Sequence, residues 1–140
     1  MILLDTNIIS AMMKTAPSTA VVTWIDQQNS VQLFISSITI AEIAYGLHLL
    51  PEGHRRDLLA NAFDQAIADA FKHRILPFDE NAAHHYGHIM AQRKKAGRPL
   101  SIPDGQIAAI AHNHGAAVAT RNIRDFDDCG LILVNPFDYK

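Results

Sequence analysis

A single cysteine, Cys129, rules out any disulfide within the 140-residue chain, and with it the small folds that need stapling. A reducing compartment is the simpler expectation. Long apolar runs are missing too: no stretch approaches the roughly 20 residues of a membrane helix. Met1-Ile2-Leu3-Leu4-Asp5 has no basic leader, which argues against a signal peptide. Nor is positive charge in excess, with 12 Lys and Arg against 14 Asp and Glu, a net charge of −2. Proteins that live on non-specific phosphate contacts are usually basic. Any nucleic acid must therefore be gripped locally, or partly through bound cations. Repeats and low-complexity segments are absent. What is present is a 49% hydrophobic composition, enough for the core of one ordinary domain. We expect a soluble cytoplasmic protein without a membrane segment.

The apolar residues fall into short runs separated by helical patterns. Ile2-Leu3-Leu4, Leu33-Phe34-Ile35, Ile75-Leu76, Ala117-Val118-Ala119 and Leu131 to Val134 are strand-like, with continuous apolar character suited to burial on both faces. Asp5-Thr6-Asn7 supplies cap chemistry for a helix through Ile8, Ile9 and Met12. Further helices are predicted from Pro17, over Thr39 to Leu50, His54 to His73 and Asp79 to Ala96, and from Ser101 to Gly115. Strands alternating with helices imply an α/β domain built on a parallel, five-stranded sheet with helices on both faces, spanning residues 1–140.

In such sheets, ligands bind outside the carboxyl ends of the strands. Asp5 falls there after the first strand. Ser36 and Ser37 follow the second, with Glu42 a helical turn or so onward, and Thr120, Arg121 and Asn122 follow the fourth. Asp104 opens the helix before the fourth strand and reaches this edge only if the long preceding connection crosses over. Carboxylates converging on one edge raise each other's pKa or bind metal. Oxygen ligands suit Mg2+ or Mn2+, whereas zinc favours His and Cys. Each acid also has an ordinary structural explanation: Asp5 as an N-cap, Glu42 as a solvated helix residue, Asp104 as a complement to a helix dipole, Asp125 as a turn residue.

Four segments in order carry a resemblance: Leu3-Leu4-Asp5-Thr6-Asn7; Ile38-Thr39-Ile40-Ala41-Glu42 with Gly46 following; Ile102-Pro103-Asp104; and Ala119-Thr120-Arg121-Asn122 through Asp125-Phe126. With the closing Val134-Asn135-Pro136-Phe137, the whole chain resembles PIN domains of the VapC/FitB-like branch, the toxins of type II toxin–antitoxin pairs. The resemblance implies a Mg2+-dependent (or Mn2+-dependent) endoribonuclease. It also implies a homodimer, and a small DNA-binding antitoxin through which alone operator DNA is met. Carried over by position, Asp5, Glu42 and Asp104 match the catalytic, metal-binding acids. Asn122 matches a fourth position that is Asp in many relatives, and Asp125 is a further candidate ligand. Thr6 and Thr120 resemble the supporting hydroxyls, while Asn7 looks structural, as a helix-start residue.

For RNA contact the basic candidates are Arg93, Lys94, Lys95 and Arg98, with Arg121 and Arg124 flanking Asn122. His84, His85 and His88 lack the partners of a metal motif, and His112 and His114 suit a helix end. The helix carrying Leu58, Leu59, Ala62, Phe63 and Ile67 is expected to be mostly core; part of its apolar surface, with Trp24 or Tyr45, is a candidate antitoxin contact. Two rival functions remain at this point. A phosphohydrolase using Asp5 as nucleophile would need a second acid two residues on, where Asn7 stands. A degenerate fold that only binds RNA, DNA or protein, acting with its antitoxin, would have lost its acids, yet Asp5, Glu42 and Asp104 are retained.

Overall fold

The computed structural model covers residues 1–140. Five parallel strands, β1 (Ile2–Leu4), β2 (Leu33–Ser36), β3 (Ile75–Leu76), β4 (Ala117–Ala119) and β5 (Leu133–Val134), form one sheet in the order β3-β2-β1-β4-β5. Six α-helices connect and cover them: α1 (Thr6–Met12), α2 (Thr19–Gln27), α3 (Ser37–Leu49), α4 (His54–Ala70), α5 (Glu80–Lys95) and α6 (Ile102–His114). The predicted α/β architecture is what forms. No helix is long and apolar enough to cross a membrane.

The continuous apolar character of β1 has a direct consequence. Leu3 packs into a core with α5 and α6, including Ile89, Ile107, Ala108 and Val118, while its neighbour Leu4 packs on the opposite face with Ile8, Val21, Ile35 and Phe63. Successive residues of one strand thus feed two cores, and each such buried leucine contributes about 1.5–3 kcal/mol.

Several boundaries differ from the sequence reading. The second helix begins at Thr19 rather than at Pro17, because the Ser18 hydroxyl caps it by accepting from Val21 N. α4 stops at Ala70, and His73 turns the chain with a left-handed φ of 63°. β5 is confined to Leu133 and Val134, which pair with Val118 and Ala119 of the short β4.

β1 is central, and the chain leaves it first toward β2 and β3, then returns to pair β4 on its other side. The junction of β1 and β4 is therefore a topological switch point, where open α/β sheets leave a crevice. α5 and α6 deliver Asp104 to it. They form an antiparallel hairpin: the His85 and His112 rings pair at 4.7 Å at one end, and Arg93 bonds the Arg98 carbonyl at the other. A helical hairpin, not a crossing loop, thus solves the problem of placing Asp104. Gly105 makes the close approach possible, since a Cβ there would run into Met90 Sδ and lie 3.1 Å from Tyr86. Gly105→Val is expected to cost about 1–3 kcal/mol by overpacking, read as a lower denaturant midpoint at unchanged slope.

Candidate active site

The turn that ends β1 presents its first polar side chain to the crevice, whereas Ser36 and Ser37 at the end of β2 stay out of it and accept from Thr39 N and Phe78 N instead. Asp5 is the N-cap of α1, and its Oδ1 accepts from Thr6 N at 2.8 Å. Its other oxygen, Oδ2, accepts from the Thr120 hydroxyl at 2.8 Å and from Asn7 Nδ2 at 3.2 Å. The ordinary explanation of Asp5 as a cap is correct, then, but the same carboxylate also faces the pocket. Ser36 caps α3 through Thr39 N at 3.1 Å, which sets the helix phase that turns Glu42 to the same crevice. Glu42 Oε1 accepts from the Thr6 hydroxyl at 2.7 Å, and that hydroxyl also meets Thr39 Oγ1 at 3.0 Å. Ser101 caps α6 by accepting from Asp104 N at 3.3 Å, with Pro103 in the first turn.

These elements enclose a pocket of about 360 Å³. Asp5, Glu42, Asp104 and Asp125 line it, together with Thr6, Asn7, Ser10, Lys14, Arg121, Asn122 and Phe137. The acids affect one another. Asp5 is only 5% exposed, and burial pushes its carboxyl from the ordinary 3.8 up to about 6. The hydrogen bonds from Thr120 and Thr6 oppose that rise, and the charges of Asp104 and Glu42 add to it. Asp104 is also raised, chiefly by burial, with Asp125 and then Glu42 contributing repulsion and Ser101 opposing. Acids held at a desolvated, mutually repelling site are poised for a cation.

The donor set fits a hard divalent cation. It is oxygen-only, and neither an imidazole nor Cys129 lines the pocket. No three acidic, His or Cys groups converge tightly enough to form a complete ligand set by themselves. Mg2+ does not require that, because it usually keeps several waters and takes one or two carboxylates.

Each proposed site residue has a definite place. Thr6 orients Glu42, and Thr120 orients Asp5. Asn122 lines the pocket, its backbone N–H donating to Thr120 Oγ1 at 3.1 Å. Asn7 does more than start a helix: beyond Asp5, its Nδ2 reaches Thr120 Oγ1 at 3.4 Å and its Oδ1 accepts from Arg121 N at 3.2 Å, tying the first turn of α1 to the loop after β4.

The basic cluster of α5 requires a correction. Arg93 is buried, 4% exposed, and so cannot meet RNA. Its guanidinium donates to the carbonyls of Arg98 at 2.7 Å, Asp127 at 2.6 Å and Asp125 at 3.2 Å. Arg98 is engaged by Asp128 and Asp127 at 2.7 and 3.4 Å. Lys94 and Lys95 are exposed and lie outside the pocket, as does Arg124. Arg121 does line it, its guanidinium 4.6 Å from the Phe137 ring centre.

Ser10, Lys14 and Phe137 were not singled out from the sequence. Asn7, Ser10 and Lys14 recur at helical spacing opposite Ile8, Ile9 and Met12, a polar stripe that signals a face turned toward the site. Phe137 stands in the closing Val134-Asn135-Pro136-Phe137 segment, where no spacing marks it as facing the site.

The sequence profile of the PIN domain family matches residues 2–130. The chain belongs to the PIN domain family. This PIN domain is 43% identical over 138 residues to the VapC ribonuclease Y4jK of Sinorhizobium fredii, covering 99% of each chain. It is 39% identical over 137 residues to the toxin FitB of Neisseria gonorrhoeae, covering 98% of this chain and 99% of that one. Among solved structures, a FitAB complex bound to an IR36 DNA fragment superposes with a TM-score of 0.93 at 38% identity, over 100% of this chain and 98% of that chain.

Proposed function

We propose that this PIN domain is a divalent-metal-dependent endoribonuclease, the toxin of a toxin–antitoxin pair. One observation carries the chemistry: Asp5, Glu42, Asp104 and Asp125 share a single polar pocket at the β1–β4 switch point, with Asp5 and Asp104 both shifted toward protonation. The ribonuclease and toxin names of its full-length relatives support the substrate and the setting.

In this reading Asp5 and Asp104 would hold Mg2+ or Mn2+, with Glu42 and Asp125 around them. When bound, such a cation neutralises charge on the phosphodiester and acidifies water. The protein's part is orientation. Thr6 N, Asn7 and Thr120 grip both oxygens of Asp5, so its carboxylate cannot swing away. Thr6 holds Oε1 of Glu42, leaving Oε2 to accept a proton from the attacking water. Asn122 adds a polar but uncharged group, and Asp125 supplies the negative charge that Asn122 lacks. An aspartyl nucleophile is disfavoured because both Asp5 oxygens are held and the position two residues on is Asn7.

The partners follow from the same family. A small DNA-binding antitoxin would inhibit the enzyme, and operator DNA would be reached through it. We place its contact at an apolar cleft of about 430 Å³ under α4, lined by Met12, Ile25, Ala66, Ile67 and Phe71 among others. Trp24 is not available for this role, being 7% exposed in the core, whereas Tyr45 is 68% exposed on α3. A homodimer and a cytoplasmic setting complete the proposal. The test is cleavage of single-stranded RNA by the purified protein. Cutting should require Mg2+ or Mn2+, stop with EDTA and return when the metal is restored. Cleavage that persists in EDTA, or its absence from folded protein shown by calorimetry to bind Mg2+, would refute the reading.

A further inference from the structure

A second depression, of about 570 Å³, adjoins the catalytic pocket and shares Ser10 and Lys14 with it. It runs between the end of α1 and the start of α4 and takes in Met13, His54, Arg55 and Leu58. Its character is the reverse of its neighbour's. The catalytic pocket gathers four carboxylates, whereas no acid lines the groove. Lys14 and Arg55 are both exposed, and neither forms an ion pair, since Arg98 makes the only two in the protein. Being unpaired is common among the cations here; what sets these two apart is their place in an acid-free groove directly beside the carboxylate pocket.

The charge pattern answers a physical problem. The carboxylate pocket repels a polyanion, so a strand needs a neighbouring positive surface to bring it in. Lys14 stands at the junction of pocket and groove, Arg55 lies farther out, and Arg121 lines the pocket as a third cation. Leu58 and Met13 give the groove apolar walls against which unstacked bases can lie. An apolar partner segment has a better-matched place in the cleft under α4, whose lining is almost wholly hydrophobic.

We propose that this groove binds the backbone of the RNA strand on one side of the cut, with Lys14 and Arg55 each neutralising a phosphate. The proposal rests on the ribonuclease reading above and adds the route by which the strand reaches the acids. Such contacts are electrostatic and independent of sequence. Each should contribute roughly 0.7 to the slope of log affinity against log salt for a single strand.

The test measures binding apart from cleavage. A fluorescent oligouridylate long enough to cover pocket and groove is titrated with full-length protein carrying Asp5→Asn, at several KCl concentrations. Adding Lys14→Ala and Arg55→Ala together should weaken binding roughly tenfold near 0.1 M salt and flatten the salt slope by roughly 1.4. Arg55→Lys, which keeps the charge, should retain most of the affinity. In the otherwise wild-type enzyme, the same double substitution should raise KM for the long RNA far more than for a trinucleotide. Unchanged affinity and slope would overturn the groove, and if the wild-type enzyme still cleaves RNA, the ribonuclease reading survives that result. Unchanged RNA affinity with weakened binding of the antitoxin's tail would assign the groove to protein and overturn the proposal as well. A protein that neither binds nor cuts RNA would remove both readings together.

Discussion

Asp5→Asn is expected to abolish RNA cleavage and, at the same time, to make the metal-free protein more stable at neutral pH. The two effects have one origin. Asp5 is a buried carboxylate whose ionised form is costly without a cation, which is why its pKa rises from 3.8 to about 6. At 1.36 kcal/mol per unit, holding it ionised costs roughly 3 kcal/mol of folding stability. Asn removes that charge while keeping an oxygen for Thr6 N. Its amide, however, would face the Asn7 amide, 3.2 Å from Oδ2 in the parent, so part of the gain is lost. A net gain of about 1–2 kcal/mol above pH 6 is the expected result. Chemical denaturation of both proteins in EDTA measures it. A large loss of stability in the variant would show that Asp5 is chiefly a structural cap.

The pH dependence follows from the same shift. Between about 3.8 and about 6 the native protein holds a proton on Asp5 that the unfolded chain has released. Stability of the metal-free wild type should therefore fall as pH rises through that window and stay lower above it. Asp5→Asn should lack this component, so the variant starts slightly less stable at low pH, for want of the Asn7 contact, gains on the wild type between about 3.8 and about 6, and stays the more stable above that. Mg2+ should stabilise the wild type at neutral pH, by mass action on the folded state, and leave the variant nearly unaffected. Metal affinity should weaken as pH drops through about 6, because the proton and the cation compete for the same carboxylate.

Much of this site was readable because it depends on local rules. A short apolar run ending in Asp5, another ending in Ser36, and a third ending at Thr120 identify strand ends, and strand ends identify the crevice. Asp104 was not placeable that way, because its position depends on how α5 folds back along α6. That packing runs through contacts such as Gly105 against Met90, which no local pattern announces. Trp24 shows another limit: an aromatic suited to a binding face is also suited to a core, and its packing beside Val21 decides for the core.

Arg93 was the most instructive misreading, and it yields the second large effect. Next to Lys94 and Lys95 it looks like part of a solvated basic cluster. Helical spacing says otherwise, since Arg93 lies four residues after Ile89, on the face that also buries Ala82. A cation on that stripe must find partners inside the protein. Arg93 finds the carbonyls of Arg98, Asp125 and Asp127, and its Nη1 lies 3.6 Å from Cys129 Sγ. It thereby pins the segment that presents Asp125 to the pocket. Arg93→Met should cost about 3–5 kcal/mol, because several buried carbonyls lose a charged donor at once. Since that loss is a large share of a typical folding free energy, Arg93→Lys provides the functional test. Lysine keeps the charge but not the fork that spans two strands of loop backbone. Mg2+ affinity by calorimetry should drop, and Asp125→Asn should lower it little further in the Arg93→Lys background. In the parent protein, Asp125→Asn alone should lower it clearly. Additive effects would mean that Arg93 supports the fold without positioning Asp125.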